Sequence, residues 1–193
     1  MNSIRRPALV LFALLSALTG VVYPLVVTGI GRLAFPEQAA GSLVLRDGKA
    51  VGSSLIGQSF NDLRHFWSRP SATTPQPYNA ANSGGSNLGP LNPALLDAVK
   101  GRIQALRAAD PGNTENIPVD LVTASASGLD PHISVAAARY QVPRVAKARK
   151  LAAAQVQALV EQSTERPWLG LLGEPVVHVL RLNLALDAVA ARQ

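Results

Sequence analysis

PALVLFALLSALTGVVYPLVVTGIG, residues 7–31, contains no charged side chain, and 17 of its 25 residues are apolar. Arg5 and Arg6 precede it and Arg32 follows it. As an α-helix it would be about 37 Å long at about 1.5 Å per residue, against about 30 Å of bilayer hydrocarbon. It is long enough to cross with some tilt. A cleaved signal peptide shares the Arg-Arg start, but its apolar region runs to only about 7–15 residues. No A-x-A cleavage site follows here. A buried core helix of a soluble protein is the third and weakest reading. The stretch is therefore read as an uncleaved signal anchor. Residues 1–6 are expected in the cytoplasm, 7–33 as a transmembrane helix and 34–193 outside, because Arg5 and Arg6 hold their end on the cytoplasmic side.

The helix has a pattern of its own. Ala13, Ala17 and Gly20, with Ser16 and Thr19, place small side chains at three- and four-residue spacing. Such a face lets another membrane helix approach closely. Pro24 has no N–H, so it should leave a backbone carbonyl for a packed neighbour or a local hydroxyl to satisfy.

Outside the span the apolar share falls to about 45%, ordinary for a soluble domain. The whole chain has 193 residues, no cysteine, and 18 Lys and Arg against 12 Asp and Glu, a formal charge of +6. The missing cysteines exclude disulfides, a thiol nucleophile and thiolate-held metals. Two of the positive charges are the orienting Arg5 and Arg6. The densest remaining run is Arg139, Arg144, Lys147, Arg149 and Lys150, with Tyr140 as the one aromatic among them. That gives no stacking platform for nucleic acid. It reads as a solvated helix face, or as a docking face for an anionic partner or lipid headgroups.

The outer domain reads as mixed α/β, an α+β arrangement of a small sheet and several helices in one domain. Ser42–Leu45 and Ala50–Gly57 form strands around an Asp47-Gly48 turn. Gln58–Phe66 reads as a short helix. Residues 69–93 form a Pro/Ser/Asn/Gly-rich loop. Asn92-Pro93 opens an amphipathic helix carrying Leu95, Leu96, Val99, Ile103 and Leu106. Val119–Thr123 reads as a buried strand, and Ser134 caps a helix to about Gln141. Pro143 starts a second helix to about Lys150, and Leu151–Ser163 forms a third. Pro175–Leu182 reads as the last strand, with Asn183 capping a terminal helix.

Catalytic patterns are sparse. His65, His132 and His178 are far apart, without metal-ligand spacing, so no metal site is expected. Ser86 lies in Gly84-Gly85-Ser86-Asn87-Leu88, where a nucleophile elbow would need Gly in place of Leu88. No phosphate-binding loop of the G-x-x-x-x-G-K-[ST] type is present. The Gly/Ser stretches could bind ions or anions through their N–H groups, or simply make tight turns. From the residues alone, a membrane-anchored hydrolase or ligand-binding domain stands as an alternative without a convincing catalytic set.

Several blocks occur together: Arg69-Pro70-Ser71-Ala72-Thr73, Tyr78-Asn79, Ser83-Gly84-Gly85-Ser86-Asn87-Leu88, Leu121 to Asp130 with Ser125 and Ser127, Arg144 to Arg149, and Leu182 to Asp187. In this order, after one N-terminal span, they closely resemble the C chain of the bacterial Kdp-type potassium-transporting ATPase. The resemblance covers nearly the whole chain. One departure is His178, where relatives usually carry Asn. The resemblance implies a non-catalytic accessory subunit in the bacterial inner membrane that stabilises assembly. The implied partners are a channel-like potassium-binding subunit, an ATP-hydrolysing subunit, a small single-span subunit and membrane lipid, and nucleic acid is not among them. Arg69, Ser71, Ser83, Gly84, Gly85, Ser86, Asn87, Ser125, Ser127 and Asp130 become candidate contact residues. The resemblance also implies a catalytic chaperone that raises the ATP affinity of the hydrolysing subunit. No firmly bound cofactor is expected. ATP is cytoplasmic and this domain is expected outside, so such an effect would pass through coupling between subunits.

Overall fold

A computed structural model describes residues 4–167, 170 and 172–190. The chain divides into two compact units, Met1–Val51 and Gly52–Gln193. In the first, α1 (Arg5–Ala17), a π-helical turn (Leu18–Val22) and α2 (Tyr23–Ala34) make one 30-residue helix. It is long and apolar enough to cross a membrane, and none of its residues is buried. Arg5 and Arg6 lie on this helix. The π turn sits just before Pro24, where the Tyr23 N–H reaches back five residues to the Leu18 carbonyl. The Thr19 hydroxyl bonds the Leu15 carbonyl at 2.8 Å. It therefore does not serve Gly20, whose carbonyl loses its usual donor to Pro24.

After α3 (Pro36–Ala39), strands β1 (Leu43–Arg46) and β2 (Lys49–Ser53) form a hairpin. Asp47 and Gly48 both have positive φ, 51° and 75°. That backbone matches the right-handed twist of paired strands and favours the Asp-Gly pair found there.

The second unit holds a three-stranded antiparallel sheet of β3 (His132–Ser134), β4 (Thr164–Glu165) and β5 (Val176–His178), in the order β3-β5-β4. The register pairs His132 with His178 and Thr164 with Val177. Around it lie α4 (Pro93–Ala109), α5 (Val135–Arg149), α6 (Ala153–Gln162) and α7 (Val179–Ala190). Ile133, Val145, Val156, Val160, Val177, Leu182, Leu186 and Phe66 form the fully buried centre. The Asn92 side chain caps α4 at the Ala94 N–H (2.9 Å), and Ser134 caps α5 at the Ala137 N–H (3.0 Å). The cationic run is exposed at Arg139 and Lys147 on α5 and at Lys150 just past it, whereas Arg144 is buried and Arg149 half-buried against Asp187, so the solvated face expected for all five holds only for three.

Four local expectations are corrected. Gln58–Phe66 is not a helix, because side chains from α5 and α7 take its backbone groups, as described below. Val119–Thr123 is not a strand. Val119–Leu121 is a 3-10 turn whose Val119 carbonyl accepts the N–H groups of Val122 and Thr123, while Leu121 and Val122 are buried. Pro143 does not start a helix but lies inside α5, exposed, between the buried Val142 and Arg144. Core contacts on both sides outweigh the one helical bond a proline removes. Asn183 does not cap α7, which begins at Val179 directly after the three-residue β5.

His178 is 2% exposed. Its Nε2 faces the Ser54 carbonyl at 3.0 Å, and its Nδ1 accepts the Arg181 N–H at 3.4 Å, which together fit a neutral ring. Burial, joined by the nearby His132 and Arg181, pushes its pKa down. The unfolded chain therefore binds this proton more readily. Stability from His178 should be complete above about pH 6.5 and should fall as pH drops through the lowered value. Urea midpoints taken between pH 8 and pH 5 on the detergent-solubilised chain should show that loss, and His178→Asn should flatten it. An unchanged slope in the variant would show that the ring carries no linkage.

Candidate functional site

The residues singled out from the sequence fall in two places. Ala13, Ser16 and Ala17 lie on α1, Gly20 in the π turn and Pro24 in α2, all exposed. A Cβ at Gly20 would meet nothing within 4 Å. This small-residue face is exposed within the first unit.

The second group is a crossing of two loops, 69–88 and 125–130. Ser71 is its hub. Its hydroxyl donates to the Gly128 carbonyl (2.7 Å) and accepts the Tyr78 N–H (2.9 Å). The Thr73 hydroxyl donates to the Gln76 carbonyl (2.7 Å) and accepts the Asn79 N–H (3.0 Å). The Tyr78 hydroxyl donates to the Arg69 carbonyl. Across the crossing, the Ser83 hydroxyl and the Gly84 N–H both donate to the Ser127 carbonyl, at 3.0 and 2.9 Å. Ser127 Oγ accepts the Leu129 N–H at 3.1 Å. Arg69 Nη1 bonds Asp130 Oδ2 at 3.0 Å, and Asp130 Oδ1 accepts the His132 N–H at 3.0 Å. Burial pushes the Asp130 carboxyl up, but the bonds from His132 and Arg69 outweigh it and hold it below the usual carboxylate range.

The glycines here answer a steric need. At Gly128, φ is +67°, and a Cβ would lie 2.5 Å from the Thr73 methyl and 2.7 Å from the Gly84 carbonyl. At Gly85 it would lie 2.8 Å from the Ala126 carbonyl. The crossing can close only without side chains at these positions. The N–H groups of Tyr78, Asn79, Gly84 and Leu129 are spent on internal bonds. The Gly/Ser blocks therefore act as a lock between loops and leave few donors for an anion. Ser125 is buried, while Ser86 and Asn87 are exposed on the outer side, Asn87 with φ of 51°.

What positions the crossing was missed by residue-level reading. Phe66 and Trp67, just before Arg69, are held by two amide side chains. Asn183 on α7 accepts the Phe66 N–H (2.8 Å) and donates to the Phe66 carbonyl (3.0 Å). Gln141 on α5 accepts the Trp67 N–H (2.7 Å) and donates to the Trp67 carbonyl (3.1 Å). Arg144 donates to the carbonyls of Leu63 (2.6 Å) and His65 (3.0 Å). Arg149 binds the Arg64 carbonyl and Asp187, and Asp187 also faces His65 Nε2 at 3.4 Å. The available signal was a polar residue amid apolar neighbours: Gln141 between Tyr140 and Val142, and Asn183 between Leu182 and Leu184. Among the described residues no cluster of His, Asp and Glu could hold a metal ion.

Replacing Asn183 with Leu should orphan both buried backbone groups of Phe66 and cost about 2–5 kcal/mol, read from urea unfolding of the detergent-solubilised chain. A loss below about 0.5 kcal/mol would mean that the clamp is incidental.

Comparison with known proteins accounts for why these blocks occur together. A family model described as "K+-transporting ATPase, c chain" (KdpC) matches residues 5–188. A Potassium-transporting ATPase KdpC subunit from Polaromonas naphthalenivorans is 74% identical over 189 residues, covering 98% of this chain and 96% of that protein. One from Variovorax paradoxus is 71% identical over 191 residues, 99% of both chains, and one from Janthinobacterium sp. is 64% identical over 187 residues, covering 97% of this chain and 99% of that protein. The matched region takes in the open apolar helix, both crossing loops, and the α5 and α7 residues that hold them. The chain belongs to the KdpC family.

Proposed function

We propose that the chain is a single-span accessory subunit that stabilises assembly of a potassium-transporting ATPase. The carrying observation is the Arg5–Ala34 helix, 30 residues with none buried, attached to a unit whose own polar motifs are consumed in bracing its loops. The helix crosses the bacterial inner membrane with Arg5 and Arg6 in the cytoplasm, and the domain lies on the periplasmic side. The open face of Ala13, Ala17 and Gly20 packs against a membrane helix of a partner, the channel-like subunit or its neighbours. The exposed side of the crossing, Ser83, Ser86 and Asn87, faces the same assembly. Partners also include the ATP-hydrolysing subunit, the small single-span subunit and surrounding lipid.

An effect on ATP affinity belongs to this proposal as a coupling between subunits. Two linked binding events change one another's affinity by the same factor. The chain then shifts ATP affinity by binding the assembled conformation more tightly, without holding the nucleotide itself.

Two experiments test the reading. In co-expression with the other subunits, replacing Ala13, Ala17 and Gly20 together with Leu should cut recovery of the complex by about tenfold, equivalent to about 1.4 kcal/mol of lost association. Full recovery would remove the packing face from the proposal. For topology, the absence of cysteine permits single reporters. Ser86→Cys should react with a membrane-impermeant maleimide in intact spheroplasts, and Asn2→Cys only after permeabilisation. The reverse pattern would overturn the orientation.

A further inference from the structure

Between α4 and the 59–78 segment lies a hollow of about 310 Å³. Three aromatic side chains, Phe60, Trp67 and Tyr78, contribute to its wall, with Leu106 and Leu121 deeper in. The charged residues on it are Arg69 and Arg102, and no aspartate or glutamate lines it. Arg102 makes one hydrogen bond, from Nη1 to the Val122 carbonyl at 2.8 Å, and no ion pair among the described residues. Arg69 is already committed to Asp130 through Nη1, which leaves Arg102 as the cation facing a ligand. Burial disfavours the charge on Arg102, a cost that an anion beside it would offset.

We propose that this hollow binds a small aromatic carboxylate, its ring against Trp67 and Tyr78 and its carboxylate on Arg102. A cavity of about 150 Å³ holds benzene, so about 310 Å³ has room for a ring with its charged substituent. The planar guanidinium presents paired N–H groups that match a carboxylate. The aromatic walls favour a flat apolar body over a bare ion. The hollow borders the loop crossing and shares Arg69, Ser71 and Tyr78 with it, but its charged contact, Arg102 on α4, takes no part in the crossing's bonds.

Calorimetric titration of the full-length chain in detergent tests it. Benzoate should bind saturably, with a Kd of about 1 mM or tighter. Benzamide, with the same ring and no charge, and inorganic phosphate, with charge and no ring, should each bind at least about tenfold more weakly. Arg102→Gln should weaken benzoate by about tenfold while the far-ultraviolet circular dichroism stays unchanged. Should that variant lose its fold, the wild-type ratio of benzoate to benzamide decides alone. No saturable benzoate binding, benzamide binding as well as benzoate, or a folded Arg102→Gln variant with wild-type affinity overturns the assignment. So does tighter binding of adenosine monophosphate than of benzoate.

Discussion

Two amide side chains hold the second unit together at one place. In an extended chain, successive residues point their backbone groups to opposite sides. Phe66 and Trp67 do so, and each finds an amide that supplies one donor and one acceptor, Asn183 on α7 and Gln141 on α5. The pair stands in for neighbouring strands on both sides of a segment that belongs to no sheet. Polar groups so deeply placed are tolerable because each finds partners. Arg144 extends the clamp to Leu63 and His65. Its guanidinium also lies 4.7 Å from the centre of the Trp67 ring. Burial lowers its pKa to about 10, so it remains charged near neutrality and its donors stay available.

Much of the rest follows from that clamp. The sheet is short, with strands of two or three residues, and cannot close the core alone. Phe66, fully buried, joins the core built from the sheet and the helices. The same segment delivers Arg69 to Asp130 and starts the loop that crosses 125–130. Asp130 and Asp120 then take the N–H groups of His132 and Ser134 on the outer strand β3. Outer strands invite pairing with other chains, and carboxylates at that edge discourage it. Bracing the loops therefore also protects the sheet.

The family membership and the geometry divide the chain between two tasks. The helix carries small residues that are exposed in the first unit. The domain shows the opposite economy, with hydroxyls and amides bonded inward and Arg139 and Lys147 of α5 in solvent. A crossing locked by Ser71, Thr73 and Ser127 leaves Ser86 and Asn87 exposed beside it. Braced loops suit recognition by a fixed partner, because little entropy is lost when they dock.

The apolar helix, the Asp47-Gly48 hairpin, the Asn92 and Ser134 caps and the mixed fold class were legible in the sequence. Each rests on local chemistry: unbroken hydrophobicity, a turn that needs positive φ, a side chain that reaches N–H groups two or three residues on. Where distant residues compete for the same backbone, local rules failed. Gln58–Phe66 has a helical look, but Arg144 and Asn183, 81 and 117 residues away, take backbone groups of Leu63 and Phe66, and residues 62–65 make a turn. Asn183 looks like a cap, yet its amide is committed to Phe66. Pro143 looks like a start, yet buried neighbours carry the helix through it. The Ser and Gly motifs announced that something close-packed occurs at 83–88 and 125–130. Only the folded chain shows that they pack against each other, because a Cβ at Gly128 is forbidden by Thr73 and Gly84, residues far away in sequence and adjacent in space.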